Sequence, residues 1–493
     1  MISLKSSNND SWSTIWRGST DSSGKNIILD SNGSIIVHGQ YGNGNIIVKY
    51  NNSGEQLWNQ TYGQIWNFWE FRTGWDIASD SMNNIYLTGR VAGEHDWTGD
   101  GFLVKFNNSG VIQWEHEWGL GNEYSEDGRY LAIDSEDNIY VVGSVINSSI
   151  VYDIFLRKYY ANGTLAYPSQ IWEGFGWEWV TDIEIDDMNN MYIIGITNST
   201  PDKYDMFLLK YNSSGTLQWN ITWGGDQSDY FFKIAFDSLD RLTAWGYTES
   251  FGGKKTIILK IDDTGNLIGN ETLIGEPYSD YALDSEDNVI CANWGEFYAH
   301  ESTDIYIALF NETGCFESDL IWGTNNTESL GEMVLDSFDN IYLVGSSNDD
   351  IFLAKNPEDK GEHFPPCLFT LTSNGTSIES NSDLYLNWTN SRGANNYSVF
   401  IDTSPITDLN GVVLVQGDLN ETRYTLSNFS KGIYYYVVVA YNDNGYTLSN
   451  YISLIVNGDE IISFGLFSLI FFSLGIVYVV LSIIRKIRKV NTS

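Results

Sequence analysis

The sequence is short of the residues that staple, kink or catalyse. Its 493 residues include three cysteines, seven prolines and five histidines. Cys291, Cys315 and Cys367 show no CxxC or other metal-ligand spacing. Cys291 and Cys315 fall on two strands with a third between them, a placement that disfavours a bridge. Stability must therefore come from packing. HExxH, GxSxG and a phosphate-binding glycine loop are absent, no two histidines stand at ligand spacing, and the sialidase Asp-box is missing. Cations are scarce as well: 26 Lys and Arg face 64 Asp and Glu, a net charge of −38. Such a surface repels nucleic acid and favours cations or basic surfaces as neighbours. Helical periodicity is missing from nearly the whole chain.

What is present is a repeated sentence. The phrase DSxxN-I-Y-x-x-G starts at Asp30, Asp80, Asp134, Asp186, Asp237, Asp284 and Asp336, at intervals of 47 to 54 residues. A second phrase follows each copy, as in FLVKFNNSG (102–110) and FLLKYNSSG (207–215), and then a strand carrying Trp and ending in Trp-Gly. Val, Ile, Tyr and Phe runs bounded by Asp, Asn, Ser and Gly are strands joined by tight turns. Four short strands per unit of about fifty residues is the length of a propeller blade. The seventh copy stops at FLAKN (352–356) without a fourth strand. The N-terminus opens with an orphan fourth strand, Trp12 to Gly18. Three strands from one end and one from the other complete a seventh blade and hide its edges. The phrases resemble the repeat of the seven-bladed β-propeller family known as SBBP repeats, over roughly residues 12–356. The copies at Asp237 (DSLDRLTAWG) and Asp284 (DSEDNVICAN) depart in the second strand, where local irregularity is expected.

The expected fold is all-β: a seven-bladed propeller over 1–356, a linker over 357–365, and a β-sandwich over 366–457. Strands LYLNW (384–388), NYSVFID (396–402), RYTL (423–426), YYYVVVAYN (434–442) and YISLIV (451–456) resemble a fibronectin type III domain. Trp388 matches that family's core Trp and Tyr435 its tyrosine corner. Lys431 replaces the usual Pro. Residues 461–484 then run 24 residues without a charge, about 36 Å as a helix and enough to cross a bilayer. Asp459 and Glu460 precede the run, and Arg485, Lys486, Arg488 and Lys489 follow it. The positive-inside rule places the tail, 485–493, in the cytoplasm and the bulk of the chain outside. That orientation requires an export signal, and MISLKSSNNDSW has no apolar core, so a signal peptide upstream of Met1 is expected.

Strand direction separates two faces of the ring. The loops joining successive units and those joining second to third strands share one face; the short turns share the other. The longer, aromatic segments fall on the loop face. Candidate ligand-binding residues there are Trp66, Trp69, Phe71, His95, Asp96, Trp97, Trp172, Trp177, Tyr298 and His300. Aromatics beside carboxylates suit sugar stacking or a protein hot spot, although in a propeller the same residues serve as packing between blades. The turn face carries Asn-x-Ser/Thr sequons at Asn51, Asn107, Asn162, Asn212 and Asn311. They read equally as N-glycosylation sites and as good turn sequences. No cofactor is expected; Ca²⁺ is the ion the acidic turns could admit. The resulting expectation is a single-pass, membrane-anchored cell-surface module binding glycan or protein. Alternatives are a glycan hydrolase or lyase with converging carboxylates, or a structural cell-envelope component.

Overall fold

In a computed structural model the chain divides into two compact units, Met1–Glu362 and His363–Ser493. The described residues are 11–63, 70–93, 99–119, 125–146, 152–174, 176–200, 203–250, 254–273, 278–295, 303–311, 316–324, 326–357, 371–373, 383–388, 395–404, 406, 409, 412–427, 432–442, 445–449, 452–457 and 460–462. Among them every regular element is a strand.

The first unit holds seven four-stranded antiparallel sheets, numbered I to VII here, six of them a meander of four consecutive strands. Sheet II is typical: Glu70–Ser79, Ile85–Gly93, Asp100–Phe106 and Ile112–Trp118. Sheet VII combines Glu328–Leu335, Ile341–Ser347 and Asp350–Lys355 with the N-terminal strand Trp12–Trp16, which pairs antiparallel with Ile351–Lys355. The first strands of sheets I to VI are Ser22–Leu29, Glu70–Ser79, Ser125–Ile133, Glu178–Ile185, Asp229–Phe236 and Asp280–Leu283. Each touches the first strand of the next sheet, and that of sheet VII returns to that of sheet I. The unit is all-β and propeller-like.

Each repeated residue has a structural task. The repeat Asp closes its own turn: Asp80 accepts the N–H groups of Met82 and Asn84 at 3.0 and 2.8 Å. Its other oxygen accepts the Tyr86 hydroxyl at 2.9 Å and lies 3.2 Å from Lys105. Lys105 also donates to Ala161 O of the next sheet at 3.2 Å, which explains why Asp, Tyr and Lys recur together. The fourth turn residue takes a left-handed φ of about 60° in Asn83, Asp137, Asn189, Asp240, Asp287 and Asp339, as Asn and Asp tolerate best. Its side chain accepts from the Ser of the preceding sheet's phrase: Ser31 to Asn83, Ser81 to Asp137, Ser135 to Asn189, Ser238 to Asp287 and Ser285 to Asp339. Five of the seven junctions are latched in this way. At the other two, Asp187 replaces the Ser donor, and Gly33 offers Ser337 no side-chain acceptor.

The fourth-strand Trp performs a second junction task. Trp58, Trp114 and Trp219 each lie over the turn glycine of the following sheet, Gly110, Gly163 and Gly265, with φ of 80°, 86° and 85°, where a Cβ would meet the ring. Trp12 covers Gly54 of sheet I in the same manner, so the N-terminal strand fills the fourth place of sheet VII. The copy at Asp237 forms an ordinary sheet, with Trp245 fully buried. That at Asp284 keeps all four strands, but its first strand is only four residues long and lacks the register shift of the others.

The second unit contains a three-stranded sheet of Leu371–Ser373, Leu384–Trp388 and Arg423–Leu426. A six-stranded sheet is built on Asn396–Asp402 and Gly432–Asn442. Trp388 is buried among Tyr397, Val399 and Tyr436. Val413–Leu419 and Gly445–Leu448 are strands that the sequence pattern missed. Among the described residues no helix is long and apolar enough to cross a membrane. The run 461–484 lies outside the described residues except Ile461 and Ile462, which pair with Val456 and Ile455.

Candidate functional site

Along each first strand, buried and partly exposed side chains alternate. Ile27, Ile77, Leu131, Ile183, Ile234, Tyr281 and Met333 are buried between their own sheet and the preceding one. The residues on either side of them project oppositely, toward the following sheet along the inner edge of the ring, where Asp76 reaches Leu131 and Ile28, Ala78 and Ala132 pack against the core shared with that sheet. Four residues before each repeat Asp, this inner-edge position reads Asn26, Asp76, Tyr130, Asp182, Lys233, Asp280 and Glu332. Two residues further on it reads Ile28, Ala78, Ala132, Glu184, Ala235, Ala282 and Val334. The inner edge therefore has a polar tier above a tier that is small or apolar apart from Glu184.

Backbone geometry fixes the polar tier. Asp76 Oδ2 accepts the N–H of Leu131 at 2.8 Å, Asp182 Oδ2 that of Ile234 at 2.9 Å, Asp280 Oδ2 that of Met333 at 2.5 Å and Glu332 Oε2 that of Ile27 at 2.9 Å. Each carboxylate thus ties its sheet to the following one. Lys233 is the single cation of the tier and lies 2.8 Å from Asp280 and 3.3 Å from Glu332, spanning three sheets. Burial pushes Asp76 well above the usual carboxylate range, Asp182 to about 7 and Glu184 to about 8; for Glu184 the charge of Asp182 adds to burial. Burial likewise raises Glu332, against the pull of Lys233. Burial opposes the charge of Lys233, but Asp280 and Glu332 overcome it and hold the ammonium protonated.

Toward the loop face the polar tier gives way to aromatic rings. Arg129 lies between Trp75 and Trp179, its guanidinium carbon 4.4 and 3.8 Å from the two ring centroids, with Asp127 accepting from Nη2 at 2.9 Å. Tyr152 is 5.7 Å from Trp177 and 6.0 Å from Trp179, centroid to centroid. Trp177 remains 51% exposed and Trp179 is exposed too. A planar cation and four neighbouring rings, partly open to water, form a surface on which a sugar ring or a partner's side chain can stack.

The residues singled out from the sequence distribute unevenly. Trp66, Trp69, His95, Asp96, Trp97, Tyr298 and His300 lie outside the described residues. Phe71 belongs to the first strand of sheet II, paired with Ala92. Trp172 packs 5.0 Å from Phe207, against the core shared by sheets III and IV, and Trp177 stands at the open aromatic surface. The sequon oxygens build turns. Asn212 Oδ1 accepts from Ser214 and Thr216 N–H at 3.1 and 2.9 Å, and Asp262, which is no sequon, does the same for Thr264 and Asn266. Asn51 and Asn107 hold equivalent turns; Asn162 stands two places later in a turn headed by Tyr160 and accepts Thr164 N–H at 2.9 Å, whereas Asn311 adjoins residues outside the described set. The acidic turns suggested for Ca²⁺ are already engaged: Asp134 accepts from Glu136 N–H, Asn138 and Tyr140, and its carboxylate lies 3.6 Å from the Lys158 ammonium. Among the described residues no group of three or more His, Cys, Asp or Glu is arranged to hold a metal ion.

The polar tier and the Arg129 sandwich were missed by sequence reasoning. The signal was available: aligning the seven phrases puts a residue with a polar group in every copy four places before the repeat Asp.

No protein-family model matches the chain, and no curated protein matches it. Solved structures similar to it include a protein of unknown function from Dyadobacter fermentans, 11% identical, with 58% of this chain and 94% of that one covered and a TM-score of 0.41. Another is a gluconolactonase from Xanthomonas campestris, 9% identical, covering 69% and 99% of the two chains, TM-score 0.35. A third is a chain from the complex of Drosophila Plexin A with Semaphorin 1b, 7% identical, covering 70% and 86%, TM-score 0.40. Likenesses this distant carry no argument about what the chain binds.

Proposed function

We propose that the chain is a cell-surface binding module. Its first unit is a seven-bladed β-propeller closed by the N-terminal strand, and its second is a fibronectin type III-like stalk. Residues 461–484 anchor it in the membrane, with the basic tail cytoplasmic. It engages a glycan or protein ligand on the loop face. The observation that carries this reading is the open aromatic surface of Trp177, Trp179 and Tyr152 around Arg129. Rings held by a rigid sheet lose little freedom on binding, which is how aromatic anchors gain affinity.

The test is binding of the full chain, in neutral phosphatidylcholine nanodiscs, to a glycan array and to intact cells. A Trp177→Ala/Trp179→Ala variant is compared alongside. Loss of at least about tenfold in affinity, equivalent to ~1.4 kcal/mol, is expected with an unchanged melting temperature. Equal binding by both proteins refutes the loop-face site.

A second reading rests on the polar tier. Carboxyls held protonated beside others that are hydrogen-bonded as acceptors are the raw material of general acid–base chemistry on glycans. Turnover of an array glycan, abolished by Asp182→Asn, distinguishes this enzyme from the binding module.

A further inference from the structure

On the turn face, four of the seven turns following a first strand carry a large apolar side chain at their outermost position. Met82, Met188, Leu239 and Phe338, the third residue of the repeat phrase in sheets II, IV, V and VII, are between 66% and 83% exposed. The turn does not require them. Asn32, Glu136 and Glu286 occupy the same place in sheets I, III and VI, and the repeat Asp accepts their N–H groups at 2.9 to 3.0 Å just as it does at the apolar tips. Side chains this exposed contribute nothing to a core, and four on one face amount to an interaction surface more than to scattered exposure.

The tips are also preorganised. The Asp-capped turns fix each backbone, and the Ser latches hold neighbouring turns side by side through sheets I to IV and V to VII. Little ordering is left for binding to oppose. Charge indicates the partner. Between the tips stand exposed Glu136, Asp187, Asp240 and Glu286. The one cation in the seven turn phrases, Arg241, is tied to Asp237 at 2.6 Å.

We propose that this turn face docks a protein partner whose surface is basic and bears apolar pockets that receive the four tips. A second copy of the chain would bring acids against acids, and nucleic acid or an anionic bilayer meets the same repulsion. The inference is independent of the loop-face reading, since the two surfaces lie at opposite ends of the strands.

The test uses the full chain in neutral phosphatidylcholine nanodiscs, with empty nanodiscs as blank. Fluorescence anisotropy measures binding of a labelled peptide built on repeating Lys-Leu-Leu-Lys. The variant Met82→Ser/Met188→Ser/Leu239→Ser/Phe338→Ser leaves every charge in place and removes only solvent-exposed side chains. Wild type should bind this peptide at least about tenfold more tightly than the variant does, and than it binds a Lys-Ser-Ser-Lys control. A second variant, Glu136→Gln/Asp187→Asn/Glu286→Gln, keeps the tips and should lose both affinity and salt dependence. Equal binding by wild type and the Ser variant, equal binding of the Lys-Ser peptide, tight binding of a Glu-Leu-Leu-Glu peptide, or no binding at all would each overturn the proposal.

Discussion

Glu184 is the residue on which the chemistry of the ring interior can be read most directly. It is the single charged side chain in the lower tier, next to Asp182, and burial raises it to about 8 from 4.5. In the folded chain the proton is held more tightly than in the unfolded one. Its effect on stability is therefore favourable at and below pH 4.5 and is lost as pH rises toward 8. Asp182, raised to about 7 chiefly by burial, acts in the same direction. A Glu184→Gln chain keeps the shape and discards the titration. Because the side chain retains some solvent, it should gain about 1–3 kcal/mol at pH 8 and nothing near pH 4, measured by urea unfolding at both values. An equal effect at the two pH values would show that the carboxyl does not titrate in this window.

At the scale of the element, the repeat phrase is a set of fasteners. The Asp closes the turn, the Tyr and Lys secure the Asp, the Ser reaches the next turn, and the fourth-strand Trp covers the next turn glycine. Trp-Gly at the strand end has a matching reason: a Cβ on Gly119, Gly224 or Gly323 would collide with the carboxylate of Asp100, Asp205 or Asp304 on the neighbouring third strand. The junction between sheets IV and V lacks its latch because Asp187 stands where five other junctions use a donating Ser. Asp187→Ser restores that donor opposite Asp240 and removes a like charge. The expected gain is about 0.5–1.5 kcal/mol, the net worth of one hydrogen bond, seen as a shift in denaturation midpoint. No shift, or a loss, would mean that this junction is held apart for another reason.

For the whole molecule, closure is the controlling feature. Sheet VII takes its outer strand from the N-terminus, so both ends of the first unit meet in one sheet. Trp12, Ile15 and Trp16 pack against the neighbouring cores. Removing residues 1–18 leaves Ile351–Lys355 as an unpaired edge and exposes that apolar surface. Destabilisation on the order of 5 kcal/mol is expected, together with self-association through the open edge. Thermal unfolding and size-exclusion chromatography of the truncated chain measure both. An unchanged melting temperature and a single monomer peak would show that closure is dispensable.

Much of this organisation was legible in the sequence, and for a local reason. Turns and strands are encoded by residues within a few positions of one another, and seven copies make such a pattern hard to mistake. The number and order of the four-stranded sheets, the completion of the seventh by Trp12–Trp16, and the strands LYLNW, NYSVFID and RYTL all followed from spacing and alternation. What the repeats were for did not follow, because the Ser latches, the Trp–Gly contacts and the Lys bridges join residues about fifty positions apart. The polar tier depended most on tertiary structure. Asp76, Asp182, Lys233, Asp280 and Glu332 are strangers along the chain, and only closure of the first strands into a ring brings their charges within reach of one another. Local sequence determined the strands and turns; the shared interior, with its proton-holding carboxyls and single ammonium, exists because the ring closes.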